Sequence, residues 1–369
     1  MRLLVVTFAM DDASPVLAWQ QRLVSRLADR SDQIVVLTEQ LGGFEQRANL
    51  EVVGVPRAFC RAPLRFLRAK WLMLPYLLAM VRNRRFDVCL VHMNIAWAYR
   101  LRPILTMLNV PIVMWYAHGA VSWRLRLALS CADRVVTSTP EGFRIPSAKV
   151  RVIGQAVDTD VFVPRPNTRG GHDVLYVGRI SPRKRVDLVL EAFAALGKID
   201  PTTPYRLRLI GPCVTREDRR YAEAVRRRAH GLGCAERIEW LGPIPMSEIA
   251  ELYGTAFVHL NLSATGSMDK TVMEALACGC PVLTSNEAFR NTLAELPAML
   301  VYDESPEAIA RQLQILHATH SQFVPERLRA LVAHRHDLGG HVDRIYAVLE
   351  EAAASRFGGR RRRPLQAAM

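Results

Sequence analysis

The sequence is poor in aromatic residues, which make up 7% of its 369 positions. It nowhere interleaves them with basic residues as a nucleic-acid-binding surface does. Its seven cysteines have no metal-ligand spacing, and the only close pair, Cys278 and Cys280, flanks a glycine at the end of a helical run. An odd number without a framework reads as reduced thiols in a cytosolic setting, and no metal site is expected. No stretch approaches the ~20 apolar residues that span a bilayer. The apolar start at residues 3–8 is too short for a signal peptide and runs at once into Asp11 and Asp12. Acidic residues are also scarce, 35 against 49 basic ones, a net charge of +14. That balance points to an anionic partner: nucleic acid, acidic lipid headgroups or a phosphorylated substrate.

What is present is a globular pattern. Half the residues are apolar, and 369 residues exceed what one core usually serves. Strand-like runs at 3–8, 34–38, 51–55, 88–92, 112–115, 134–138 and 150–153 alternate with helical runs starting near Ser14, Pro63, Ala96, Ser122 and Pro140. The alternation lapses in a polar, Pro- and Gly-rich stretch. It resumes with strands at 174–177, 206–210, 238–241, 257–262, 282–285 and 299–302, and helices at 183–195, 216–231, 247–253 and 271–277. From Pro306 to about Phe357 the chain reads as all-helical. Alternating βα units predict an α/β protein of two doubly wound, Rossmann-like domains facing a central cleft. The expected division is 1–160, a linker at 161–172, a second domain at 173–335, a C-terminal helix at 336–357 free to pack back on the first domain, and a basic disordered tail at 358–369.

Two stretches carry chemistry. Residues 257–285 read as strand, small polar loop, short helix and strand, with the helix stopped by Gly279 and Pro281. Such a unit delivers a helix N-terminus, with free N–H groups and a positive dipole end, to the carboxyl edge of a sheet, which suits a phosphate. Glu274, one turn inside, is placed to reach a sugar hydroxyl. The same pattern occurs throughout α/β proteins, where most helix N-termini meet only water, so the stretch alone leaves both roles open. The second stretch opens the second domain. Its strand ends at Gly178, where backbone can approach a ligand closely. Arg179 follows, and Lys184 enters the next helix. A guanidinium fork and an ammonium point charge suit a diphosphate, although a basic loop of this kind is also ordinary surface.

Gly178-Arg179-Ile180-x-x-x-Lys184 resembles the Gly-Arg-(apolar)-x-x-x-Lys signature of family-four glycosyltransferases of the GT-B type. The run from Thr271 to Val282, with Glu274-Ala275-Leu276-Ala277-Cys278-Gly279-Cys280-Pro281, resembles their Glu-Ala-Met-Ala-x-Gly-x-Pro-Val helix. Ile153-Gly154-Gln155-Ala156-Val157-Asp158 is similar to their Pro-Asn-Gly-Val-Asp turn. The resemblance implies a retaining transferase that takes a nucleotide-activated sugar as substrate, holds it mainly in the second domain and needs neither cofactor nor metal. Arg179 and Lys184 would bind the diphosphate and stabilise it as a leaving group. Gly178 and the N–H groups near Lys270, Thr271 and Val272 would add to that cradle, and Glu274 would take the ribose hydroxyls. His118, in Tyr116-Ala117-His118-Gly119, matches the family's histidine near the transferred sugar; His92, similarly placed after its strand, reads as structural. Two departures stand out. The family's first glutamate, eight residues before Glu274, is Gly266 here, which leaves sugar hydroxyls to Asp269 or Lys270. The Gly-Gly turn that often follows the first strand is replaced by Ala9-Met10-Asp11-Asp12-Ala13-Ser14. Asp12 would orient an acceptor hydroxyl or, with Ser14, cap the next helix.

The expected activity is therefore sugar transfer to a lipid-linked or polysaccharide acceptor, in the cytoplasm and peripheral at the inner face of the membrane. Arg61, Arg65 and Arg68 fall on one helical face, close to Trp71, in a basic segment reaching Arg85. This segment is either a surface for anionic lipid or a docked helix with a solvated edge. The rival readings are a nucleotide-sugar epimerase or hydrolase of similar fold, and a non-catalytic protein that binds an anionic ligand. The run Arg360-Arg361-Arg362-Arg363 prompts the latter, but no nucleic-acid partner is expected.

Overall fold

The computed structural model describes residues 1–12, 14, 17–55, 86–165, 171–263 and 266–358. The basic segment Arg61–Arg85, the helix expected from Pro63, the centre of the linker and the basic tail beyond Gly358 lie outside the described residues. The chain forms two compact units. One is Met1–Ile153 joined by the chain from His341 onward; the other is Gly154–Gly340.

The first unit is built on β1 (Arg2–Met10), β2 (Gln33–Leu41), β3 (Leu50–Gly54), β4 (Val88–His92), β5 (Ile112–Trp115), β6 (Arg134–Thr137) and β7 (Val150–Val152). They form one sheet in the order β3-β2-β1-β4-β5-β6-β7, every pair parallel. Leu3 to Val6 and Val88 to Val91 are buried on both faces, which is why these strands read as unbroken apolar runs rather than alternating ones. Helices Ala18–Ala28, Ala96–Met107 and Trp123–Cys131 lie between strands. The last of these starts where Ser122 Oγ accepts from the Leu125 amide at 3.2 Å, an ordinary N-cap. The C-terminal helix, Leu338–Gly358, is fastened to this unit. Arg134 Nε and Arg151 Nη2 each lie 3.0 Å from Glu351 Oε1, and Arg344 Nε donates to the Ile153 carbonyl at 2.8 Å.

The second unit carries β8 (Asp173–Val177), β9 (Arg206–Ile210), β10 (Ile238–Gly242), β11 (Val258–Asn261) and β12 (Val282–Thr284). Its order is β10-β9-β8-β11-β12, again all parallel. In both sheets the direction of winding reverses beside the first strand: between β1 and β4, and between β8 and β11. Ligands of open α/β sheets sit at the carboxyl end of such a reversal.

Three local expectations need correction. Residues 299–302 are not a strand. Pro297–Met299 forms a 3₁₀ turn, and only a single parallel bridge joins Leu300 to Thr284 at the outer edge of β12. No helix follows Pro140. Residues 141–149 turn instead, since Gly142 packs so tightly that a Cβ would come within 2.9 Å of Thr137 Oγ1, and Pro146 disfavours helical geometry in the residue before it. Lys184 does not enter a helix. It ends a 3₁₀ turn, Pro182–Lys184, cut off from helix Val186–Ile199 by Arg185 at φ +52°.

Candidate active site

The site is assembled at the reversal point of the second sheet, from the loops after β8 and β11. β8 ends in Gly178. A Cβ there would lie 3.1 Å from the Tyr176 hydroxyl, which itself donates to the Arg179 carbonyl at 2.9 Å. The neighbouring strand β9 is followed by Gly211 at φ +136°, where a Cβ would overlap the Gly178 carbonyl oxygen. The Ile180 amide donates to the Pro212 carbonyl at 3.1 Å. Two strand ends thus meet backbone to backbone, and Arg179 leaves from that junction. Its Nε lies 3.8 Å from Asp218 Oδ2, and the side chain is 41% exposed. Asp218 itself is buried in the capping box of helix Arg216–Gly231, where its carboxylate accepts from the Val214 and Thr215 amides at 3.1 and 2.9 Å.

The 3₁₀ turn swings Lys184 across the reversal point. Its Nζ lies 2.6 Å from Asp269 Oδ1. The other oxygen, Oδ2, accepts from Asn261 Nδ2 at 3.0 Å and from Ser263 Oγ. Thr284 Oγ1 donates to Asn261 Oδ1 at 3.2 Å, and Asn286 Nδ2 to the Ser267 carbonyl at 2.8 Å. Burial opposes ionisation of Asp269, but the Lys184 charge and these donors hold its carboxyl below the usual carboxylate range. Both of its oxygens are engaged within the protein.

Asp269 is also the N-cap residue of helix Lys270–Ala277, yet its side chain makes no cap bond; only its carbonyl accepts from the Val272 amide, at 3.2 Å. The buried face of this helix, Val272, Met273, Ala275, Leu276 and Ala277, seats it in the core. The other end is clamped by Arg329, which donates to the carbonyls of Ala277, Phe162 and Thr159 at 3.1, 2.6 and 2.8 Å. Cations favour a helix C-terminus for the reason that anions favour its start. Lys270 and Glu274, one turn apart and half-buried, are mutually attracted; burial nonetheless raises the Glu274 carboxyl and lowers the Lys270 ammonium, with Asp158 acting on both.

Gly178, Arg179, Lys184, Asp269, Lys270, Thr271, Val272 and Glu274 are therefore brought to one sheet edge. Val272 has its side chain in the core, and its amide is the one that already donates to the Asp269 carbonyl, so the expected Val272 N–H contact is engaged within the protein. His118 and Asp12 belong to the first unit. His118 follows β5; its amide donates to the Gly142 carbonyl at 2.9 Å and its ring lies 6.1 Å from that of Tyr116. Asp12, exposed, is tied through its amide to the Gly43 carbonyl at 2.8 Å. It does not cap the following helix, whose N-cap Leu17 has no side-chain cap bond; the Leu17 amide donates instead to Ser14 Oγ at 3.3 Å. A Gly-Gly pair does serve this loop, but from β2. A Cβ on Gly42 would strike Asp11, and one on Gly43 would lie 2.8 Å from Asp12 Oδ1. His92 is buried, 5.2 Å from the Trp19 ring and 6.0 Å from Trp115. Sequence reasoning missed Gly211, Asp218, Asn261 and Ser263. The polar Asn261-x-Ser263 pair closing an apolar strand was the available signal. Among the described residues no three His, Cys, Asp or Glu side chains converge as a metal site.

Two family models match: Glycosyltransferase Family 4 over residues 20–161, and Glycosyl transferases group 1 over residues 171–319. The chain belongs to glycosyltransferase family four. This transferase is 27% identical over 251 residues to a D-inositol 3-phosphate glycosyltransferase of Acidothermus cellulolyticus, covering 62% of this chain and 55% of that one. It is 30% identical over 182 residues to the enzyme of the same name from Frankia alni, covering 46% and 44%. It is 28% identical over 193 residues to a phosphatidylinositol N-acetylglucosaminyltransferase component from Arabidopsis thaliana, covering 50% and 41%. The matches thus span about half the length of these curated relatives. In fold, the transferase is similar to Anabaena HepE in complex with UDP and glucose, with a TM-score of 0.75 at 16% identity over 95% of this chain and 99% of that one. It is equally similar to a sucrose-phosphate synthase from Thermosynechococcus elongatus, with a TM-score of 0.75 at 16% identity over 96% and 99%. The fold is GT-B.

Proposed function

We propose that this transferase moves a sugar from a nucleotide-sugar to an acceptor bearing an inositol phosphate, free or lipid-linked, at an anionic membrane surface. The observation that carries the donor half is Lys184 held beside a helix N-terminus without a side-chain cap, with Arg179 leaving the adjacent strand end of the same sheet edge. Three sources of positive potential at one sheet edge suit a diphosphate and supply charge where the leaving group becomes anionic. Glu274, one turn along, is the ribose ligand on this plan, and Lys270 lies toward the transferred sugar. Retention of configuration without a required metal is part of this proposal. HepE, of the same fold, holds UDP and glucose, which supports a nucleotide donor.

The acceptor half draws on the relatives named for D-inositol 3-phosphate and for phosphatidylinositol. Asp12 and His118, on loops at the carboxyl edge of the first sheet, are the acceptor-side groups. A membrane setting is supported by helix Trp123–Cys131, which carries Arg124 and Arg126 and no acid. Val121, Trp123 and Leu127 are exposed at 44%, 69% and 40%, with the Arg124 guanidinium 5.4 Å from the Trp123 ring. Apolar and basic groups on one face suit an anionic bilayer. No helix among the described residues is long and apolar enough to cross one. The cytoplasmic face is the proposed setting, supported by the cysteines, which form no disulfide among the described residues.

The test is release of nucleoside diphosphate from a panel of nucleotide-sugars, with and without inositol phosphates or phosphatidylinositol vesicles, with products weighed by mass spectrometry. Acceptor-dependent release and a product heavier by one glycosyl unit are expected. Donor consumption that ignores every acceptor would instead favour a hydrolase or epimerase.

A further inference from the structure

Of the helices that start at the carboxyl edge of the second sheet, two carry an aspartate at or near the N-cap whose carboxylate is buried in side-chain and backbone hydrogen bonds. In helix Arg216–Gly231 the arrangement is a closed cap: Asp218 and Thr215 satisfy each other's amides. In helix Lys270–Ala277 the N-cap residue is Asp269, a type that favours capping, yet it caps nothing with its side chain. The carboxylate is turned away, buried, and held by Lys184 Nζ at 2.6 Å, Asn261 Nδ2 at 3.0 Å and Ser263 Oγ.

We propose that Asp269 is a positioning residue for the donor diphosphate: it fixes the Lys184 ammonium at the reversal point and, being drawn aside, leaves the first turn of the helix for the β-phosphate to cap. This rests on the nucleotide-sugar reading of the same site, and it removes Asp269 from the groups that touch the sugar. An ammonium has three donors, one of which goes to Asp269, so two remain for a ligand. The pair is close to neutral, so the carboxylate does not repel the diphosphate as a lone aspartate would. Asn261 and Ser263 matter because they hold the carboxylate in this orientation; a freely rotating Asp269 would fall back on the helix amides and close the site, as the N-cap Thr215 closes the first turn of helix Arg216–Gly231 through the Asp218 amide.

Isothermal titration of the full chain with UDP, GDP and ADP, and with the matching monophosphate of whichever diphosphate binds, tests this. Asp269→Asn is expected to weaken the diphosphate about tenfold, equivalent to about 1.4 kcal/mol, and to leave the monophosphate within about twofold. Ser263→Ala should give a smaller loss of the same kind, and it carries the test if Asp269→Asn does not fold. In a Lys184→Ala background Asp269→Asn should add nothing, because it acts through Lys184. Unchanged or tighter diphosphate binding in Asp269→Asn, or an equal loss in the Lys184→Ala background, overturns the assignment while the donor site stands. A wild-type chain that binds none of the three diphosphates overturns the donor reading and this inference with it.

Discussion

The carbonyl oxygen of Gly178 occupies the space beside Gly211 that a Cβ would need. Gly211 also sits at φ +136°, a conformation that costs any other residue energy. The junction fixes where Arg179 departs from β8. Gly211→Ala should therefore destabilise the protein by on the order of 3 kcal/mol, read as a lower urea midpoint. Gly231→Ala, where a Cβ would meet nothing within 4 Å, should be neutral or slightly stabilising. Equal effects of the two would show that the junction is not tight.

Arg179 and Lys184 act on the diphosphate in this account. Arg179→Ala and Lys184→Ala should each lower kcat/KM by roughly 10²–10³-fold, with melting temperatures close to wild type for the partly exposed Arg179. Steady-state kinetics on both variants decide the point, since near-normal turnover in each would remove the assignment.

Stability should fall on mild acidification, and His259 is the reason. Buried in β11, it donates Nδ1–H to the Leu175 carbonyl at 3.1 Å. Burial pushes its imidazole down from 6.5 to about 4. Between those values the unfolded chain takes up a proton that the folded chain refuses, so stability rises with pH across the window. Urea unfolding at pH 5 and pH 7 should differ by about 2 kcal/mol more in wild type than in His259→Asn. Identical pH dependence in the two would show that His259 titrates normally. Asp269, held low, loses its contribution only in stronger acid.

Trp123 and Leu127 are exposed on a helix without acids. Trp123→Ala with Leu127→Ser should reduce sedimentation with vesicles containing phosphatidylinositol several-fold, as expected from removing two apolar anchors, while leaving neutral vesicles and the donor site unaffected. Unchanged sedimentation would move the membrane contact elsewhere on the chain.

Much of the fold could be read along the chain because parallel strands covered on both faces are apolar throughout. β4, β5 and β9 were bounded at Val88–His92, Ile112–Trp115 and Arg206–Ile210 from composition alone. The motif spacing likewise located Arg179, Lys184 and Glu274 at one sheet edge. What could not be read was the company each side chain keeps. Lys184 meets Asp269 across 85 positions of sequence, and no local pattern says that an aspartate heading a helix will turn from the helix to a lysine. The 3₁₀ turn at Pro182–Lys184 was hidden for a related reason: Arg185 takes a left-handed conformation that its residue type does not announce. The absence of a Gly-Gly turn after β1 was legible in order, but that Gly42 and Gly43, after β2, pack against Asp11 and Asp12 was not, because the contact joins loops that only the sheet brings side by side.

The central claim is that the second unit binds a nucleoside diphosphate through Arg179, Lys184 and the Lys270–Ala277 helix. Its most direct measurement is a thermal-shift screen of the full chain against UDP, GDP, ADP, TDP and their sugar conjugates. A ligand that binds only the folded state must raise the melting temperature. The account predicts a clear shift with one nucleotide family, lost in Arg179→Ala. No shift with any of them, or a shift that survives Arg179→Ala undiminished, would contradict it.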